Sequence, residues 1–456
     1  MASVPLDIFD FALPEDDDCW HLDAPRHVEI RRREGGQLTG VSEAPVAYKQ
    51  PAARADETAE MAQEQPRKDR KPVDAYQRVG INARAAWKRT NGKNVKVVVF
   101  DNGVDVEHPS LIENVSLREA RDFDQDPGGE GRSPAEGGRI DNRFNAHGTA
   151  CAGIVAAAVL PKVRIVGVAP NATLVPIRIS TNFETRSLIN ALEYARGVGD
   201  VILVPRYLPE SPELSRKIAE IAREVPVVCA SGNDGTDFLV HPATIEGTIA
   251  VGACNEKGYR STYSQYGEGL DVVAPSNDLA VEDATVVRLD VDEANFRVRA
   301  EAERQARLAN RPAPNGRPLN LRQLLELNGT SHWNLDKVGS LSIATTDNRG
   351  DFGYNDEPPG DFCPVTGDFG FGGTSAAAAQ VAGVVALMLS ACLAEHDGDR
   401  ALVKKYLPPD VVRRLLRETA NRADLHPEAE RRNFAQEFGA GLVDAAAAVE
   451  AALAAR

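Results

Sequence analysis

The amino-acid sequence contains short, almost continuous apolar runs that alternate with stretches of helical periodicity. The runs are VKVVVF (95–100), ATLVPIRI (172–179), VILVP (201–205) and VPVVCA (225–230). Runs of this kind are typical of strands that are buried on both faces, as in parallel sheets. Between them, TRSLINALEYARGVG and SPELSRKIAEIAREV repeat their apolar residues at the spacing of an amphipathic helix. The alternation predicts an α/β fold with a mostly parallel central sheet and helices on both faces.

The chain divides into an extension and a larger folded part. Residues 1–75 are rich in Pro, Glu, Asp, Gln and Arg and have few branched apolar residues in phase, which predicts a flexible or regulatory N-terminal extension. The sheet pattern starts at residue 76, and the folded part is expected to reach residue 456. Charged helical sequence interrupts it, and we interpret residues 277–337 as an inserted surface subdomain. The sheet pattern returns at 338–347, and helices are expected over 374–393, about 408–420 and 441–454.

Composition narrows the class of protein. The hydrophobic content of 43% and the charged content of 26% are those of a soluble globular protein. The net charge of -15 argues against nucleic acid and anionic membrane surfaces as partners. The six cysteines form no CxxC pair, so no metal site is predicted. The first residues lack a basic region and an apolar core, and the longest apolar run, near 381–389, is shorter than a bilayer span. These features predict a cytoplasmic location.

Three short segments carry residue types that can act together as a hydrolase triad. Asp101 ends a predicted strand in VVVFDNGVDVEHP, His147 begins a predicted helix in NAHGTACAG, and Ser375 begins another in FGGTSAAAAQ. Taken singly, each has a structural alternative: a turn cap, a structural histidine and a helix N-cap. Taken together, the order Asp, His, Ser is one of the chain orders found in hydrolase triads. In a fourth segment, VPVVCASGNDG, Asn233 follows a strand and offers an amide donor for an oxyanion.

These segments resemble a known family. VVVFDNGVDVEHP, HGTACAG, ASGNDG, GTIAVGA, LDVVAPS and GGTSAAAAQVAGVVALML occur in the order found in subtilisin-like serine peptidases, the subtilases. The resemblance covers about residues 76–456 and implies a subtilisin-like fold of three layers and a serine endopeptidase activity. RDFDQDP and SIATTDN are similar to segments of the kexin-like branch, whereas the sequence leaves no room for the second β-domain of kexins.

The resemblance implies a role for each candidate residue. Ser375 would attack the scissile carbonyl, and His147 would take its proton and deliver it to the leaving amine. Asp101 would hold the imidazole tautomer, while Asn233 and the backbone N–H of Ser375 would bind the oxyanion. Cys151 stands four residues after His147 in HGTACAG, so we expect it on the same helix face.

The segment DVILVPRYLPE departs from the family pattern. The resemblance implies that this strand pairs with the substrate backbone and that Pro205, Arg206 and Tyr207 line the cleft. Pro205 removes one backbone donor, and Tyr207 places a ring where relatives have a glycine. We therefore expect a narrow cleft, or one that stays closed until something opens it.

The S1 pocket also departs from the family. The resemblance implies that the strand before Asn233, with Gly232, forms one wall and that the residue before His241-Pro242 lies at the base. Relatives commonly have a glycine at that base, whereas this chain has Val240. A branched side chain there would shorten the pocket and favour small or medium apolar P1 residues. The alternative is that Val240 points into the core and the pocket is deep.

The resemblance implies no cofactor for the chemistry and leaves structural calcium undecided. Relatives often take a calcium ligand from an aspartate directly after the HP dipeptide, where this chain has Ser110. The loop after the histidine helix, AVLPKVRIVGV, lacks oxygen-bearing side chains.

The favoured function is an intracellular serine endopeptidase that acts on proteins or peptides and is held inactive until triggered or processed. A regulatory partner would bind through the extension or the 277–337 insertion. One alternative is a binding protein of the same fold with a blocked cleft. Another is a transpeptidase or peptide cyclase that uses the same triad, suggested by Ala379 where the family usually has a proline.

Overall fold

The computed structural model of the protein describes residues 20–22, 26–28, 30–32, 38–40, 76–124, 146–161, 163–179, 184–278, 341–350, 353–355, 361–364, 370–425 and 434–455. Of the predicted insertion at 277–337, the described part is limited to Asn277 and Asp278, and the remainder lies outside it. Most of the predicted extension, residues 1–75, also lies outside the described residues.

Seven parallel strands form the central sheet. In chain order the strands of the protein are β1 (Arg26–Val28), β2 (Ile30–Arg32), β3 (Leu38–Gly40), β4 (Tyr76–Arg78), β5 (Lys96–Asp101), β6 (Arg121–Asp122), β7 (Thr173–Arg178), β8 (Val201–Val204), β9 (Val227–Ala230), β10 (Ile249–Cys254), β11 (Val272–Pro275), β12 (Thr345–Thr346) and β13 (Phe362–Cys363). The order across the sheet is β11-β10-β9-β8-β5-β7-β6. The four apolar runs form β5, β7, β8 and β9, as the sequence predicts.

The strands are buried on both faces, which explains their continuous apolar character. In β5, residues 97–100 are each at most 1% exposed. This strand lies between β7 and β8, with Lys96 opposite Thr173 and Val97 opposite Val201. Because both neighbours run parallel to β5, their carboxyl ends meet at one edge of the sheet.

Helices cover both faces of the sheet, which confirms the predicted three-layer α/β fold. They are α1 (Ala83–Ala86), α2 (His147–Ala156), α3 (Thr185–Val198), α4 (Pro212–Ile221), α5 (Gly373–Glu395), α6 (Arg400–Tyr406), α7 (Pro409–Glu418), α8 (Phe434–Phe438) and α9 (Ala445–Ala454). Helices α2 and α9 pack against α5, which crosses β8 to β11. Helices α3 and α4 pack against each other, and α3 also contacts β5 and β7.

Helix α5 is the buried centre of the helical layer. Every residue from Thr374 to Leu393 is buried, so the helix is apolar all round rather than along one stripe. Its small residues permit close packing: a Cβ on Gly383 would lie 2.5 Å from Cβ of Val168. The apolar run at 381–389 lies within this helix, which the sequence predicts over 374–393. Among the described helices, α5 alone has the length and apolar composition of a membrane span, and it is wholly buried inside the protein.

Part of the predicted N-terminal extension packs on this domain. A 3₁₀ helix spans Trp20–Leu22, and its last residue, Leu22, is fully buried in the hydrophobic core. The backbone N–H of Ile81 donates to the carbonyl of His21 at 2.8 Å. Strand β1 pairs antiparallel with β4. Leu22 therefore contributes to the core, and a chain that began near residue 72 would lack it.

The predicted strand near 338–347 forms outside the central sheet. Strand β12 pairs antiparallel with β13 as a separate two-stranded sheet. The hydroxyls of Thr345 and Thr346 donate to the carbonyls of Ala150 and Thr149 in α2, each at 2.7 Å. A Cβ on Gly153 would lie 2.2 Å from Oγ1 of Thr346. This small sheet thus holds α2 in place by contacts that the sequence pattern does not show.

Candidate active site

The carboxyl edge of the sheet brings the candidate residues together. Asp101 is the last residue of β5, and Pro205 and Asn233 follow the ends of β8 and β9. His147 is the first residue of α2, and Ser375 lies in the first turn of α5. The carboxyl edge of a parallel sheet is where such folds bind their ligands.

His147 and Asp101 form a hydrogen-bonded pair. Nδ1 of His147 donates to Oδ2 of Asp101 at 2.6 Å. An ionised carboxylate can only accept, so the imidazole carries a proton on Nδ1 and its Nε2 can act as the base. The Asp101 side chain is fully buried, whereas that of His147 keeps 24% of its surface exposed. The pair therefore has the buried acid and the partly exposed base that a triad requires.

Two further donors hold the other oxygen of Asp101. The backbone N–H of Asn102 donates to Oδ1 at 2.7 Å, and Nη1 of Arg206 donates to it at 3.2 Å. Burial raises the pKa of Asp101, but His147 and Arg206 lower it by more, so the pKa lies below its usual range. The carboxylate is thus ionised at neutral pH.

Small residues let α2 begin against the triad acid. A Cβ on Gly148 would lie 2.0 Å from the carbonyl oxygen of Gly103, so no other residue fits there without a shift of the backbone. The His147 ring packs edge-on against Phe371, with ring centroids 5.6 Å apart. Sγ of Cys151 lies 3.9 Å from Nδ1 of His147, as the four-residue spacing predicts. Burial raises the pKa of the Cys151 thiol well above its ordinary value, so the thiol is neutral.

Ser375 stands at the mouth of α5 with its hydroxyl turned to the substrate-binding segment. It is 5% exposed, and its Oγ donates to the carbonyl oxygen of Pro205 at 2.7 Å. A hydroxyl has one proton, so Ser375 does not donate to His147 in this arrangement. Ser375 and His147 lie at the same edge of the sheet, but the hydroxyl proton of Ser375 is directed to the carbonyl oxygen of Pro205.

The Asn233 side chain is oriented by Thr374, the neighbour of the serine. Oδ1 of Asn233 accepts from the backbone N–H and from the hydroxyl of Thr374, both at 2.9 Å. Nδ2 of Asn233 therefore points away from these donors. A Cβ on Gly373 would lie 3.2 Å from Nδ2, which places the amide beside the first turn of α5. This is the position for a donor to an oxyanion that forms next to Ser375.

The chain before Ser375 is held by three polar side chains. Gly373 has φ +76°, a left-handed conformation that favours glycine. Its N–H is shared between Oδ1 of Asn277 and Oη of Tyr263, both at 3.1 Å, and its carbonyl accepts from Oγ of Ser276 at 2.9 Å. Asn277 also excludes a side chain at Gly372, where a Cβ would lie 1.8 Å from its Oδ1. This cradle fixes the turn that presents the nucleophile.

The two walls of the expected S1 pocket lie side by side. The N–H of Leu208 donates to the carbonyl of His241 at 3.1 Å, and the N–H of Val240 donates to that of Ser231 at 3.0 Å. A Cβ on Gly232 would lie 2.8 Å from Cγ1 of Val240. The same Cβ would lie 1.7 Å from Oε1 of the buried Gln265, so the side chains of Gln265 and of the partly exposed Val240 both face Gly232. Tyr207 is 52% exposed.

The donor set does not fit a calcium ion at the place where relatives carry one. Ser110 offers a buried hydroxyl instead of a carboxylate, and His108 takes up the N–H of Ser110 through Nδ1 at 3.0 Å. One group of three potential metal ligands occurs among the described residues, and it consists of Asp101, His147 and Cys151. Two of these belong to the triad, so the group is explained without a metal.

Comparison with known proteins identifies the family. A sequence profile of the subtilase family, Peptidase_S8, matches residues 92–332, which is more than half of the chain. The chain belongs to the subtilase family. The matched span contains Asp101, His147 and Asn233 and ends before Ser375, so the serine is placed by the structure.

Individual subtilases are similar over less than half of the chain. An intracellular serine protease of Paenibacillus polymyxa is 33% identical over 210 residues, which are 44% of this chain and 61% of the relative. Subtilisin Savinase of Lederbergia lenta is 34% identical over 202 residues, which are 43% of this chain and 69% of the relative. The match thus spans about three fifths of the first relative. Neither is named a kexin, so the likeness to the kexin-like branch stays a prediction.

A solved structure supports the fold. A protease of Pseudoalteromonas arctica superposes with a TM-score of 0.53 at 23% identity, covering 82% of this chain and 94% of that chain. At this identity the likeness concerns the subtilase fold alone, which agrees with the parallel sheet described above.

Sequence reasoning placed the triad residues and Asn233 at this edge but missed two features. Arg206 was expected in the cleft wall, yet its guanidinium lies on the Asp101 carboxylate. The sequence held a signal for this contact, because a charged residue follows the end of the strand next to β5. The cradle around Gly373 had no such signal, since the adjacent pair Ser276 and Asn277 and the separate Tyr263 all lie far from Gly373 in the sequence.

Replacing Asn233 with alanine is expected to lower kcat about 10²–10³-fold while KM changes little, because the amide acts on the oxyanion and not on the bound peptide. Steady-state hydrolysis of a peptide substrate measures both constants. Asn114→Ala is the matched control, since Nδ2 of Asn114 donates to two backbone carbonyls at a distance from the cleft. An equal loss of kcat per active site in both variants would contradict the assignment.

Proposed function

We propose that this subtilase is a serine endopeptidase that hydrolyses proteins or peptides through an acyl-enzyme. The observation that carries the proposal is the 2.6 Å hydrogen bond between His147 and the buried Asp101, at the edge where Ser375 opens α5. Asn233, oriented by Thr374 beside that helix mouth, supplies the oxyanion donor.

Each residue has one chemical task. Nε2 of His147 removes the proton from Oγ of Ser375 as that oxygen bonds to the scissile carbonyl carbon. The carbonyl electrons move to the oxygen, which accepts from Nδ2 of Asn233 and the N–H of Ser375. His147 then protonates the leaving amine, and a water repeats the two steps to release the acid. Asp101 keeps the proton on Nδ1 and stabilises the imidazolium in both halves.

The helix mouth supports this chemistry. The first backbone N–H groups of a helix have no partner within it and carry partial positive charge. Ser375 lies in that first turn of α5, so negative charge develops where the helix favours it. This explains why a lone serine begins a helix that is otherwise apolar and buried.

Covalent labelling tests the reaction class. A fluorophosphonate probe should label the whole chain at Ser375, identified by peptide mass, and a peptide-library digest should show cleavage of internal bonds. A folded protein that resists labelling after incubation with peptides would favour the alternative of a binding protein with a blocked cleft. Products that incorporate an added amine in preference to water would instead favour a transpeptidase.

The pocket geometry predicts the P1 preference. Val240→Gly should raise kcat/KM for a peptide with P1 Phe relative to one with P1 Ala about 10–200-fold, because Cγ1 of Val240 faces the Gly232 wall. The ratio of the two specificity constants is the measurement. Val175→Ala, a truncation of a fully buried valine in β7, should leave the ratio unchanged. A wild-type protein that cleaves mainly after Arg or Lys would contradict the shortened pocket.

Location and partners follow from the proposed activity. The relative from Paenibacillus polymyxa is named an intracellular protease, which supports an intracellular location for this chain. Inside a cell an endopeptidase needs restraint, and we propose that the extension or the 277–337 insertion receives the regulatory partner. Cell fractionation and co-purification with the full chain test these two points.

A further inference from the structure

A cation touches the triad acid from the cleft wall. Nη1 of Arg206 lies 3.2 Å from Oδ1 of Asp101, whose carboxylate is fully buried, and the Arg206 side chain is 19% exposed. Arg206 follows the end of β8, the strand that lies beside β5, so its side chain reaches sideways along the carboxyl edge. The substrate-binding segment and the triad are thereby joined by an ion pair.

The carboxylate does not need this donor to satisfy its hydrogen bonds. Oδ2 accepts from His147 at 2.6 Å, and Oδ1 already accepts from the N–H of Asn102 at 2.7 Å. Removing the guanidinium therefore leaves neither oxygen without a donor. The contribution of Arg206 must therefore lie in its positive charge and in the position that it gives to the adjoining residue, Pro205.

Charge is the first effect. The described ionisable groups around His147 are Asp101 from β5, Cys151 from α2, Arg206 after β8, and Tyr354 beside Phe371. Burial raises the pKa of both Cys151 and Tyr354, so these two are neutral. Arg206 is thus the cation of this described set, and its positive charge offsets part of the negative charge that Asp101 presents to His147.

Position is the second effect. Pro205, the neighbour of Arg206, accepts the Ser375 hydroxyl proton at 2.7 Å. An ion pair that fixes Arg206 also fixes the Pro205 carbonyl against the nucleophile. Residues 205 and 206 therefore contact both ends of the triad. Arg206 pairs with the Asp101 carboxylate, and the carbonyl of Pro205 accepts the hydroxyl proton of Ser375.

We propose that Arg206 is a positioning residue that holds the triad in a restrained state through its ion pair with Asp101 and through the adjoining Pro205 carbonyl. The inference rests on the proposed peptidase function. In the restrained state Ser375 donates to Pro205, and release of the guanidinium lets the hydroxyl turn to Nε2 of His147. No bond is made or broken in this step.

The test compares Arg206→Leu with Arg206→Lys. Arg206→Leu should raise kcat about tenfold with KM changed less than twofold. Arg206→Lys keeps a cation on the carboxylate and should behave like the wild type. If Arg206→Leu folds poorly, Arg206→Met removes the same charge and replaces it in the comparison. Thermal unfolding of each variant shows whether it is folded.

A control and a second readout separate the possible failures. Arg196→Leu removes the same charge from an ion pair with Glu193 and Glu224 on the surface, and should leave kcat unchanged. The downfield proton resonance of His147 Nδ1–H should shift in Arg206→Leu and not in Arg206→Lys, whether or not peptides are cleaved. A wild-type protein that is not labelled by the probe and does not hydrolyse peptides would overturn the peptidase proposal. The His147 Nδ1–H resonance would still test the role of Arg206 in that case. Unchanged or lower kcat in Arg206→Leu, an unmoved His147 Nδ1–H resonance in that variant, or equal activation in Arg206→Lys overturns the inference.

Discussion

Ser375→Ala should lower peptide hydrolysis about 10⁴–10⁶-fold, because the nucleophile is lost and only binding and the oxyanion donors remain. The fold should survive. The substitution removes one hydrogen bond, from Oγ of Ser375 to the Pro205 carbonyl at 2.7 Å, whose net worth is about 1 kcal/mol. Turnover of a peptide substrate and thermal unfolding measure the two effects separately.

Ser390→Ala provides the control for this prediction. Ser390 lies in the same helix, α5, is also buried, and donates from Oγ to the carbonyl of Lys93 at 2.7 Å. Its Oγ also accepts from the hydroxyl of Thr90 at 2.8 Å, so the replacement removes two hydrogen bonds far along the helix and should leave kcat unchanged. Residual hydrolysis by pure Ser375→Ala at more than about a hundredth of the wild-type rate would refute the nucleophile assignment.

Asp101→Asn should lower kcat about 10⁴-fold without unfolding the protein. An asparagine can present its amide N–H to Nδ1 of His147, which then accepts, so the proton moves to Nε2 and the imidazole can no longer take one from Ser375. The substitution also leaves the guanidinium of Arg206 beside a neutral group. Activity should be measured with an active-site titration, so that inactive protein is not counted.

Asp122→Asn is the matched control for the acid. Asp122 ends β6 at the same sheet edge, is buried, and pairs with Arg178 at 3.3 Å, but it does not contact the triad. Asp122→Asn should lower the stability of the protein and leave kcat unchanged. If the two variants lost activity equally, the effect of Asp101→Asn would be structural and the tautomer argument would be wrong.

The geometry of the cleft wall bears on regulation. The sequence predicted a narrow or closed cleft from Pro205 and Tyr207, and the structure adds that this segment bonds to both Ser375 and Asp101. Asn277, which accepts from the N–H of Gly373, is also the first residue of the predicted insertion. The turn before Ser375 is thus held by a residue that stands at the start of the predicted insertion.

The sequence by itself determined the class of fold and predicted which groups react. Continuous apolar runs such as 95–100 indicate strands buried on both faces, and such strands alternate with helices in only a few architectures. Asp101, His147 and Ser375 were found because each stands directly at the end of a strand or the start of a helix, a position that local sequence reveals.

Tertiary structure alone decided what these groups touch. Arg206 lies 105 positions from Asp101 and Asn277 lies 96 positions from Gly373, and no local pattern encodes such contacts. The same holds for Leu22, whose burial depends on a core formed by residues beyond 76 and which sequence composition assigned to a flexible extension. Periodicity reports which face of an element is buried, whereas hydrogen bonds and ion pairs depend on how strands are ordered across the sheet. In this protein the order that places β8 beside β5 determines that the cleft wall bonds to the triad.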